Sequence, residues 1–271
     1  MKATRVLGDG APRSEKPLIE AIALRKSFGS LEAVRGIDLT VRAGEVLGFL
    51  GPNGAGKSTT MRMLTGFIEP DDGTVCIAGI DLAKDPLGAK RQCGYLPEGA
   101  PAYADMRVED FLAFAARARG YRGKEVAARV NWSVARVHLE PCRGQRIETL
   151  SKGYKRRTGI AQALLHDPPV LILDEPTDGL DPNQKHEVRQ LVRELGQSRA
   201  VVLSTHILEE VEAVCTRAVI IHKGVTVFDG TPRELDARVP AGVAHNRLDH
   251  VFRSLTSGRA RMGQVPREGL P

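Results

Sequence analysis

The sequence predicts an α/β fold with a mostly parallel core sheet, and three stretches of the chain indicate it. A glycine-rich segment at 51–58 follows an apolar run at 45–50 and precedes a helical pattern at 59–66. Two further apolar runs, at 170–173 and 200–204, end in polar residues. Short runs of this kind are typical of parallel strands that are buried on both faces. At 271 residues, the chain is long enough for one large domain with short extensions.

The N-terminal part of the chain predicts a tail and then two strands. Residues 1–17 are charged, are rich in Gly and Pro and have no hydrophobic period, so we expect a flexible tail rather than a signal peptide. Residues 18–24 and 37–41 are strand-like and are separated by a Gly-Ser turn. Phe28 ends the first strand, and on spacing alone it either stacks on a nucleotide base or is a core or strand-end phenylalanine.

The glycine-rich segment at 51–58 has the sequence of a phosphate-binding loop. It reads Gly-Pro-Asn-Gly-Ala-Gly-Lys-Ser and matches the pattern G-x-x-x-x-G-K-[ST] between a strand and a helix. The glycines allow backbone N–H groups to surround a phosphate, and the helix that begins near Gly56 directs its positive dipole end at the same anion. Lys57 adds a positive charge, and Ser58 offers a hydroxyl to Mg²⁺. The segment therefore predicts a nucleoside triphosphate site, since an ordinary glycine turn requires neither side chain.

The middle of the chain predicts two more strands and a helical insertion. Residues 73–79 and 92–96 are strand-like. Two amphipathic stretches follow, at 108–119 and 124–137, and they predict a helical subdomain at about 97–165 within the α/β body. The residues on the apolar face of the first stretch are Phe111, Phe114 and Ala115.

Two helix starts are marked by capping residues. Ser151 is expected to cap a helix at 155–165, and a helix start with free N–H groups, a serine and Gly153 can hold a phosphate. Asp181 is expected to cap the next helix, with Pro182 at its first position.

The ends of two apolar runs carry the side chains expected to perform chemistry. The run at 170–173 ends in Asp174 and Glu175, at the position where ligands bind in open α/β sheets. Asp174 can hold Mg²⁺ through water, and Glu175 can accept a hydrogen bond from an attacking water. The run at 200–204 brings His206 to the same edge of the sheet, which favours a functional over a structural histidine.

The C-terminal part predicts a hairpin at 218–222 and 225–228. Apolar residues then recur at helical spacing over 248–255 and predict an amphipathic helix that docks on the body or on a partner. Residues 259–271 are expected to be disordered.

Composition narrows the class of protein. No stretch reaches the roughly 18 consecutive apolar residues that span a bilayer, so we expect a cytoplasmic protein. The net charge is +6, but the basic residues are spread along the chain and aromatic residues make up only 4%, which does not favour nucleic-acid readout. The cysteines lack the spacing of a zinc site or a disulfide framework and are expected to be small buried residues. They are Cys76, Cys93, Cys142 and Cys215.

These residues, in this order, resemble the nucleotide-binding subunit of an ABC transporter, and the resemblance covers about 18–235. The matching motifs are Walker A at 51–58, the signature motif at 150–154, Walker B at 170–175, the D-loop at 179–181 and the switch histidine at His206. Five motifs in family order form a very specific pattern. The resemblance implies a P-loop NTPase of ABC type over 18–245, with an antiparallel β subdomain beside the core sheet and the helical subdomain.

The resemblance also implies cofactors and partners. ATP and Mg²⁺ are the expected cofactors, and ATP hydrolysis is expected to power a membrane permease on a separate chain. Each ATP is expected to lie between two such subunits, held by Walker A of one and by Ser151 and Gly153 of the other, with a homodimer expected. The chain would then lie on the inner face of the cell membrane, with no nucleic acid among its partners.

Roles for single residues follow from the same resemblance. The expected catalytic residues are Glu175, His206 and Lys57. The expected metal ligands are Ser58, Asp174 and Glu98. Phe28 falls where the base-stacking aromatic of the family lies. The residues expected to bind ATP are Phe28, Gly51, Pro52, Asn53, Gly54, Ala55, Gly56, Lys57, Ser58, Thr59, Ser151, Gly153 and Asp181.

Two departures from the family pattern are informative. Glu98 replaces the usual glutamine of the Q-loop, where it can accept a hydrogen bond from a metal-bound water but adds negative charge beside a triphosphate. The signature motif reads Ser-Lys-Gly-Tyr over 151–154. Both changes resemble the ATPase subunits of ABC-2-type exporters, such as those associated with multidrug export, gliding motility and copper-site maturation of nitrous oxide reductase.

Two other functions remain open on the sequence. A soluble ABC ATPase that acts on nucleic acid or ribosomes is disfavoured by the single P-loop and by the lack of a heptad insertion or a basic linker. A regulatory module that binds ATP without hydrolysis is supported only by Glu98, since Glu175 and His206 are both present.

Overall fold

The computed structural model of the chain describes residues 16–240 and 247–257. The predicted N-terminal tail lies outside the described residues up to position 15, and the tail predicted at 259–271 lies outside them entirely. The described part contains two β-sheets, with helices packed against the larger one.

Ten strands form the two sheets in the described part of the chain. They are β1 (Ile19–Phe28), β2 (Leu31–Val41), β3 (Val46–Leu50), β4 (Asp72–Ile77), β5 (Ile80–Asp81), β6 (Cys93–Leu96), β7 (Val170–Asp174), β8 (Ala200–Thr205), β9 (Arg217–His222) and β10 (Val225–Gly230). One sheet has the order β2-β1-β4-β5, and all of its pairs are antiparallel. This sheet confirms the expected antiparallel β subdomain.

The larger sheet has the order β10-β9-β3-β8-β7-β6 and is parallel except for the β9–β10 hairpin. Every residue of β3, β7 and β8 is buried, because helices cover one face of the sheet and α1 (Lys57–Leu64) with the antiparallel sheet covers the other. Successive residues of a strand point to opposite faces, so Leu171 and Leu173 enter one core while Val170 and Ile172 enter the other. The predicted mostly parallel core sheet is confirmed.

The remaining helices follow the sequence pattern where they are long. They are α2 (Pro86–Arg91), α3 (Val108–Ala118), α4 (Lys124–Arg136), α5 (Lys152–Leu164), α6 (Pro182–Gly196), α7 (Leu208–Val214), α8 (Pro232–Asp236) and α9 (Arg247–Thr256). The patterns at 108–119 and 124–137 correspond to α3 and α4, which pack with α5 in one apolar cluster. Helices α2, α7 and α8 have six, seven and five residues, which is too short to display an apolar repeat.

The three residues predicted on the apolar face of α3 line one groove, but they are not equally buried. Phe111 and Ala115 are buried, whereas the Phe114 side chain is 46% exposed. The Phe114 ring instead lies at the edge of that face, with its centroid 5.5 Å from the ring centroid of Tyr103. The three residues share one face, as predicted, and Phe114 lies at its exposed edge.

Helix α9 docks on the body of the protein. Its residues Leu248 and Val251 are buried in the same apolar cluster as the core sheet, and Phe252 packs against it. The Arg247 guanidinium donates to both carboxylate oxygens of Asp236 in α8, each at 2.9 Å. The predicted amphipathic helix is therefore present, and its apolar face is satisfied within the chain.

Two composition-based expectations can be compared with the described residues. None of the helices there is both long and apolar enough to cross a bilayer. Cys93, Cys142 and Cys215 are buried free thiols, and Cys76 is partly buried. Burial raises the pKa of the Cys93 and Cys215 thiols to about 12, so both are inert at neutral pH.

Candidate functional site

The glycine loop joins the buried strand β3 to helix α1, and its backbone is braced by two neighbouring elements. Gly56 precedes α1 with φ of 105°, and a Cβ atom there would lie 2.5 Å from the carbonyl oxygen of Ala33 in β2, so only glycine fits. The Gly224 N–H, in the β9–β10 turn, donates to the Ala55 carbonyl oxygen at 3.0 Å. The Arg35 N–H in β2 donates to the Gly224 carbonyl oxygen at 2.8 Å. The loop is therefore fixed in shape by strand β2 and the β9–β10 hairpin.

The Lys57 ammonium lies within this loop without an ion-pair partner among the described residues. Its residue is only 6% exposed, and Nζ donates to the carbonyl oxygens of Gly51 at 2.7 Å and Pro52 at 3.4 Å. Burial lowers the pKa of Lys57, against the opposing fields of Glu175 and Asp174. A buried ammonium that is held only by carbonyl groups favours an added anion. A triphosphate has the chemistry that this position requires.

The two carboxylates predicted at the end of β7 are held by one serine of the neighbouring strand. Asp174 is buried, and the Ser204 hydroxyl donates to its Oδ1. The same Ser204 Oγ accepts the N–H of Glu175 at 3.0 Å. Burial raises the pKa of the Asp174 carboxyl, while the hydrogen bond from Ser204 and the charge of Lys57 act in the opposite direction. Ser204 therefore fixes the backbone and side chain of this strand end together.

Glu175 has an unusual backbone conformation and a histidine partner. Its φ is 47°, in the left-handed region that non-glycine residues rarely adopt and that is found mostly at functional positions. The Nδ1 atom of His206, at the end of β8, lies 3.3 Å from Glu175 Oε1. The structure thus brings together the two residues that the sequence assigned to neighbouring strand ends.

A cavity of about 590 Å³ opens over the glycine loop and these strand ends. Its walls combine one cation, Lys57, with three carboxylates and a half-exposed histidine. The lining residues are Phe28, Leu31, Ala33, Pro52, Asn53, Gly54, Gly56, Lys57, Ser58, Thr59, Glu98, Glu175, Asp178 and His206. Gly51, Ala55 and Asp174 are not part of the wall and lie beneath it in the buried layer.

The Phe28 ring is 50% exposed and lines this cavity at the end of β1. The Lys26 ammonium lies 5.9 Å from the ring centroid. An exposed ring at the rim of a phosphate-binding cavity is suited to stacking on a base. The core-packing alternative for Phe28 is not supported, because half of its surface is open.

The donor set fits a magnesium ion that binds together with phosphates. No cluster of three or more His, Cys, Asp or Glu side chains suited to a metal occurs in the parts of the chain that the structure describes. Mg²⁺ is usually held by one or two carboxylates together with substrate phosphates. Ser58 and Glu98 line the cavity, and the charges of Asp174 and Glu98 act on Lys57, so these three residues could hold the ion. The excess of carboxylates in the wall also favours a divalent cation beside a polyanion.

Five of the predicted ATP-binding residues do not line the cavity: Gly51 and Ala55 lie beneath its wall, and Ser151, Gly153 and Asp181 lie outside it. The Ser151 hydroxyl caps α5 by accepting the Tyr154 N–H at 3.4 Å, and Asp181 Oδ1 caps α6 by accepting the Gln184 N–H at 3.0 Å. Gly153 lies against the side chain of Gln184. Both predicted helix caps are confirmed, but the nucleotide cavity of this chain is built without Ser151, Gly153 and Asp181.

Other residues of the site were missed in the sequence. Asp178 also lines the cavity, although no sequence motif predicted it there. The Arg156 side chain is buried, its Nη2 donates to the Asp178 carbonyl oxygen at 3.4 Å, and its Nη1 has no partner. Burial lowers the pKa of Arg156, while the nearby charges of Asp178, Glu175 and Glu98 favour its cationic form. A run of three basic residues at 155–157 was the only sequence signal for Arg156.

Comparison with protein families and known proteins agrees with this geometry. The family model described as ABC transporter matches residues 34–178. The linearmycin resistance ATP-binding protein LnrL of Bacillus subtilis is 34% identical over 82% of this chain and 72% of its own length. NatA, an ABC transporter ATP-binding protein of the same organism, is 35% identical over 76% of this chain and 84% of its own. The Nod factor export ATP-binding protein I of Paraburkholderia xenovorans is 37% identical over 81% and 72%.

Solved structures show the same fold. A structure described as the ATP binding subunit of an ABC transporter superposes with a TM-score of 0.75 at 32% identity, covering 88% of this chain and 99% of that one. CbiO1 from Clostridium perfringens, described as part of the ABC transporter complex cbiONQ, superposes with a TM-score of 0.74 at 27% identity, covering 83% and 92%.

Proposed function

This chain belongs to the ABC transporter family and is an ATP-binding ATPase, and from that premise we propose that it powers an export permease carried on a separate chain. The observation that carries the proposal is the meeting of Lys57, Glu175 and His206 at one cavity over the glycine loop. Export is supported by the Nod factor relative, whose name includes export, and by the Glu98 and Ser-Lys-Gly-Tyr departures from the general family pattern.

The side chains of the cavity have separable roles in hydrolysis. Lys57 and the loop N–H groups hold the β- and γ-phosphates, and Phe28 supports the base. Glu175 accepts a hydrogen bond from the attacking water and orients it, and His206 holds the Glu175 carboxylate from the other side. Ser58 would hold Mg²⁺ directly, and Asp174 and Glu98 would hold it through water; when bound, the ion would supply positive charge beside the phosphates.

We propose that the site is completed by a second copy of the chain. Ser151 is exposed at the start of α5, where a helix N-terminus, a serine hydroxyl and Gly153 offer donors to an anion. These donors do not line this chain's own cavity. A head-to-tail dimer would place them over the triphosphate of the other subunit, with Asp181 and its turn close to the junction.

Ser151→Arg is expected to block this dimer and leave ATP binding to the monomer intact. The arginine places bulk and charge on the surface that meets the partner, so we expect hydrolysis to fall at least about tenfold, while the Kd for ATP stays within about twofold. Light scattering coupled to size exclusion, with ATP and Mg²⁺, measures the mass of each species.

The matched control for this experiment is Ser257→Arg, at an exposed position after α9. We expect this variant to dimerise with ATP as the parent does. An ATP-dependent dimer of Ser151→Arg with parental hydrolysis would contradict the proposed arrangement.

The permease is proposed to dock in an apolar groove of about 740 Å³ between α3 and the core sheet. Phe67 is 69% exposed there, and its ring centroid lies 5.4 Å from that of Tyr95. Phe114 and Tyr103 also line the groove. Pro97 and Pro101 also border the groove, and Glu98 between them lines the nucleotide cavity. The proposed occupant is an amphipathic helix from a cytoplasmic loop of the permease, whose apolar face would pack in the groove. A helix bound there would also contact segment 97–101, which reaches the nucleotide cavity through Glu98.

Phe114→Glu is expected to uncouple the chain from its permease. A candidate permease would be co-expressed with the tagged ATPase, and its recovery from solubilised membranes would be measured. We expect recovery to fall at least about tenfold, because a carboxylate would be buried against an apolar helix, while ATP hydrolysis by the free protein stays parental.

Leu87→Glu is the control, since Leu87 is also an exposed apolar residue but does not line the groove. Unchanged recovery of the permease with Phe114→Glu would remove the groove from the docking proposal. Recovery of the chain only on nucleic acid, and never with a membrane protein, would instead support the soluble ABC ATPase.

The proposal also sets the domain organisation and location. Residues 18–245 would form one ABC ATPase domain with the helical subdomain inserted at about 97–165, followed by the docked helix α9. Attachment to the permease would hold the protein at the cytoplasmic face of the membrane.

A further inference from the structure

A buried carboxylate outside the nucleotide cavity connects the two turns that carry the catalytic pair. Glu210, in the first turn of α7, is only 1% exposed and does not line the cavity. Burying a carboxylate is costly unless its oxygens accept hydrogen bonds. Its contacts therefore indicate what the residue contributes.

Each oxygen of Glu210 accepts one threonine hydroxyl. Thr205, the last residue of β8, donates to Oε2 at 2.6 Å, and Thr177, in the turn after β7, donates to Oε1. Both threonines are buried. The Arg189 guanidinium of α6 lies 3.9 Å from Oε1 and supplies a positive charge near the Glu210 carboxylate. The Thr205 hydroxyl also accepts the Ile207 N–H at 3.0 Å, which fixes the turn beyond the strand.

The two threonines flank the catalytic residues in sequence. Thr177 lies two positions after Glu175, and Thr205 lies directly before His206. The carboxylate of Glu210 thus bridges the turn that carries Glu175 and the turn that carries His206. Within the strands, Ser204 of β8 already connects to the end of β7, through hydrogen bonds to Asp174 and to the Glu175 N–H. Glu210 adds a second connection between the turns that follow these two strands.

A second connection between the two turns is needed because the backbone conformation of Glu175 is unfavourable by itself. Glu175 has φ of 47°, and non-glycine residues keep such a conformation only when the surrounding structure holds it. A misplacement of about 1 Å in a catalytic group lowers a rate about 100-fold. The Glu175–His206 distance of 3.3 Å depends on both turns, so a shift of either one would change it.

We propose that Glu210 is a positioning residue for ATP hydrolysis, which holds Glu175 and His206 together by accepting the hydroxyls of Thr177 and Thr205. The inference rests on the proposed roles of Glu175 and His206. Glu210 does not touch the nucleotide, so its loss should lower kcat and leave nucleotide affinity unchanged.

Glu210→Gln tests the proposal, because an amide has one acceptor oxygen where the carboxylate has two. We expect kcat to fall at least about tenfold and the Kd for a fluorescent ATP analogue to stay within about twofold. The ring-nitrogen chemical shifts of His206, measured without nucleotide, should also move, since they report the contact with Glu175.

Glu209→Gln is the matched control, because Glu209 is the exposed neighbour on the same helical turn. A second pair of variants covers the case in which Glu210→Gln folds poorly. Thr177→Val removes one hydroxyl at similar volume and should lower kcat in the same way, whereas Thr177→Ser keeps the hydroxyl and should restore it. A merely structural role would lower kcat and the bound fraction of ATP together, in proportion to the folded protein.

The possible outcomes separate this inference from the proposed function. Parental kcat and unchanged His206 shifts in Glu210→Gln and in Thr177→Val would overturn the positioning role. If the parent bound ATP but did not hydrolyse it, the proposed function would fail, and the His206 shifts alone would decide whether Glu210 positions the pair.

Discussion

Glu175→Gln is expected to lower the rate of ATP hydrolysis by about 100-fold to 10,000-fold while ATP binding is kept, which is the range that a positioned general base contributes. The amide has the same shape and occupies the same left-handed backbone position. Its oxygen can still accept a hydrogen bond from the attacking water but cannot take up a proton, so the water is not activated. The Lys57 loop is untouched, and the triphosphate therefore stays bound.

The variant should also accumulate as an ATP-bound dimer, since hydrolysis is the step that reopens the two copies in the proposed cycle. Phosphate release measures the rate, and size exclusion with ATP and Mg²⁺ measures the dimer. Glu212→Gln, on the exposed side of α7, is the control and should hydrolyse ATP at the parental rate. Hydrolysis by Glu175→Gln at the parental rate would assign the catalytic carboxylate elsewhere.

Lys57→Ala is expected to abolish measurable hydrolysis and to raise the Kd for ATP by roughly tenfold to 100-fold. A charge-assisted hydrogen bond contributes about 1.5 to 3 kcal/mol, which corresponds to that range. The variant also removes the donor to the Gly51 and Pro52 carbonyl oxygens, so the loop loses an internal contact as well as a phosphate contact.

Isothermal titration with ATP and Mg²⁺ measures this affinity, and thermal unfolding verifies that the variant is folded. Lys124→Ala removes an exposed lysine at the start of α4 and should leave both affinity and rate unchanged. Parental affinity in Lys57→Ala would mean that ATP is held at another place on the chain.

Motif spacing predicted the core of the site because its residues follow strands in the sequence. Gly51 to Lys57 follow β3 directly, Glu175 and His206 are the first residues after β7 and β8, and parallel strands end at one edge of the sheet. The same pattern predicted the larger sheet and the long helices. These features depend on local sequence and on one general property of parallel sheets.

The supporting residues could not be predicted in the same way. The partners of Glu210 lie five and 33 residues away in the sequence, and those of Ser204 lie 29 and 30 away. No local pattern records such pairs, because they form only when β7 and β8 become neighbours. Short helices such as α7 were missed for a related reason, since five to seven residues contain too few turns to show a period.

The bracing of the glycine loop has a consequence for the thermodynamics of nucleotide capture. The Ala55 carbonyl oxygen accepts a hydrogen bond from the β9–β10 turn, and Gly56 packs closely against β2. The amides that would surround a phosphate are therefore ordered before any ligand arrives. Ordering a backbone residue costs about 1 to 2 kcal/mol of entropy, and here the folding of the domain has already met that cost. The free energy of ATP binding does not have to offset the ordering of the loop, so more of it is available to drive the closure of two copies around the ligand.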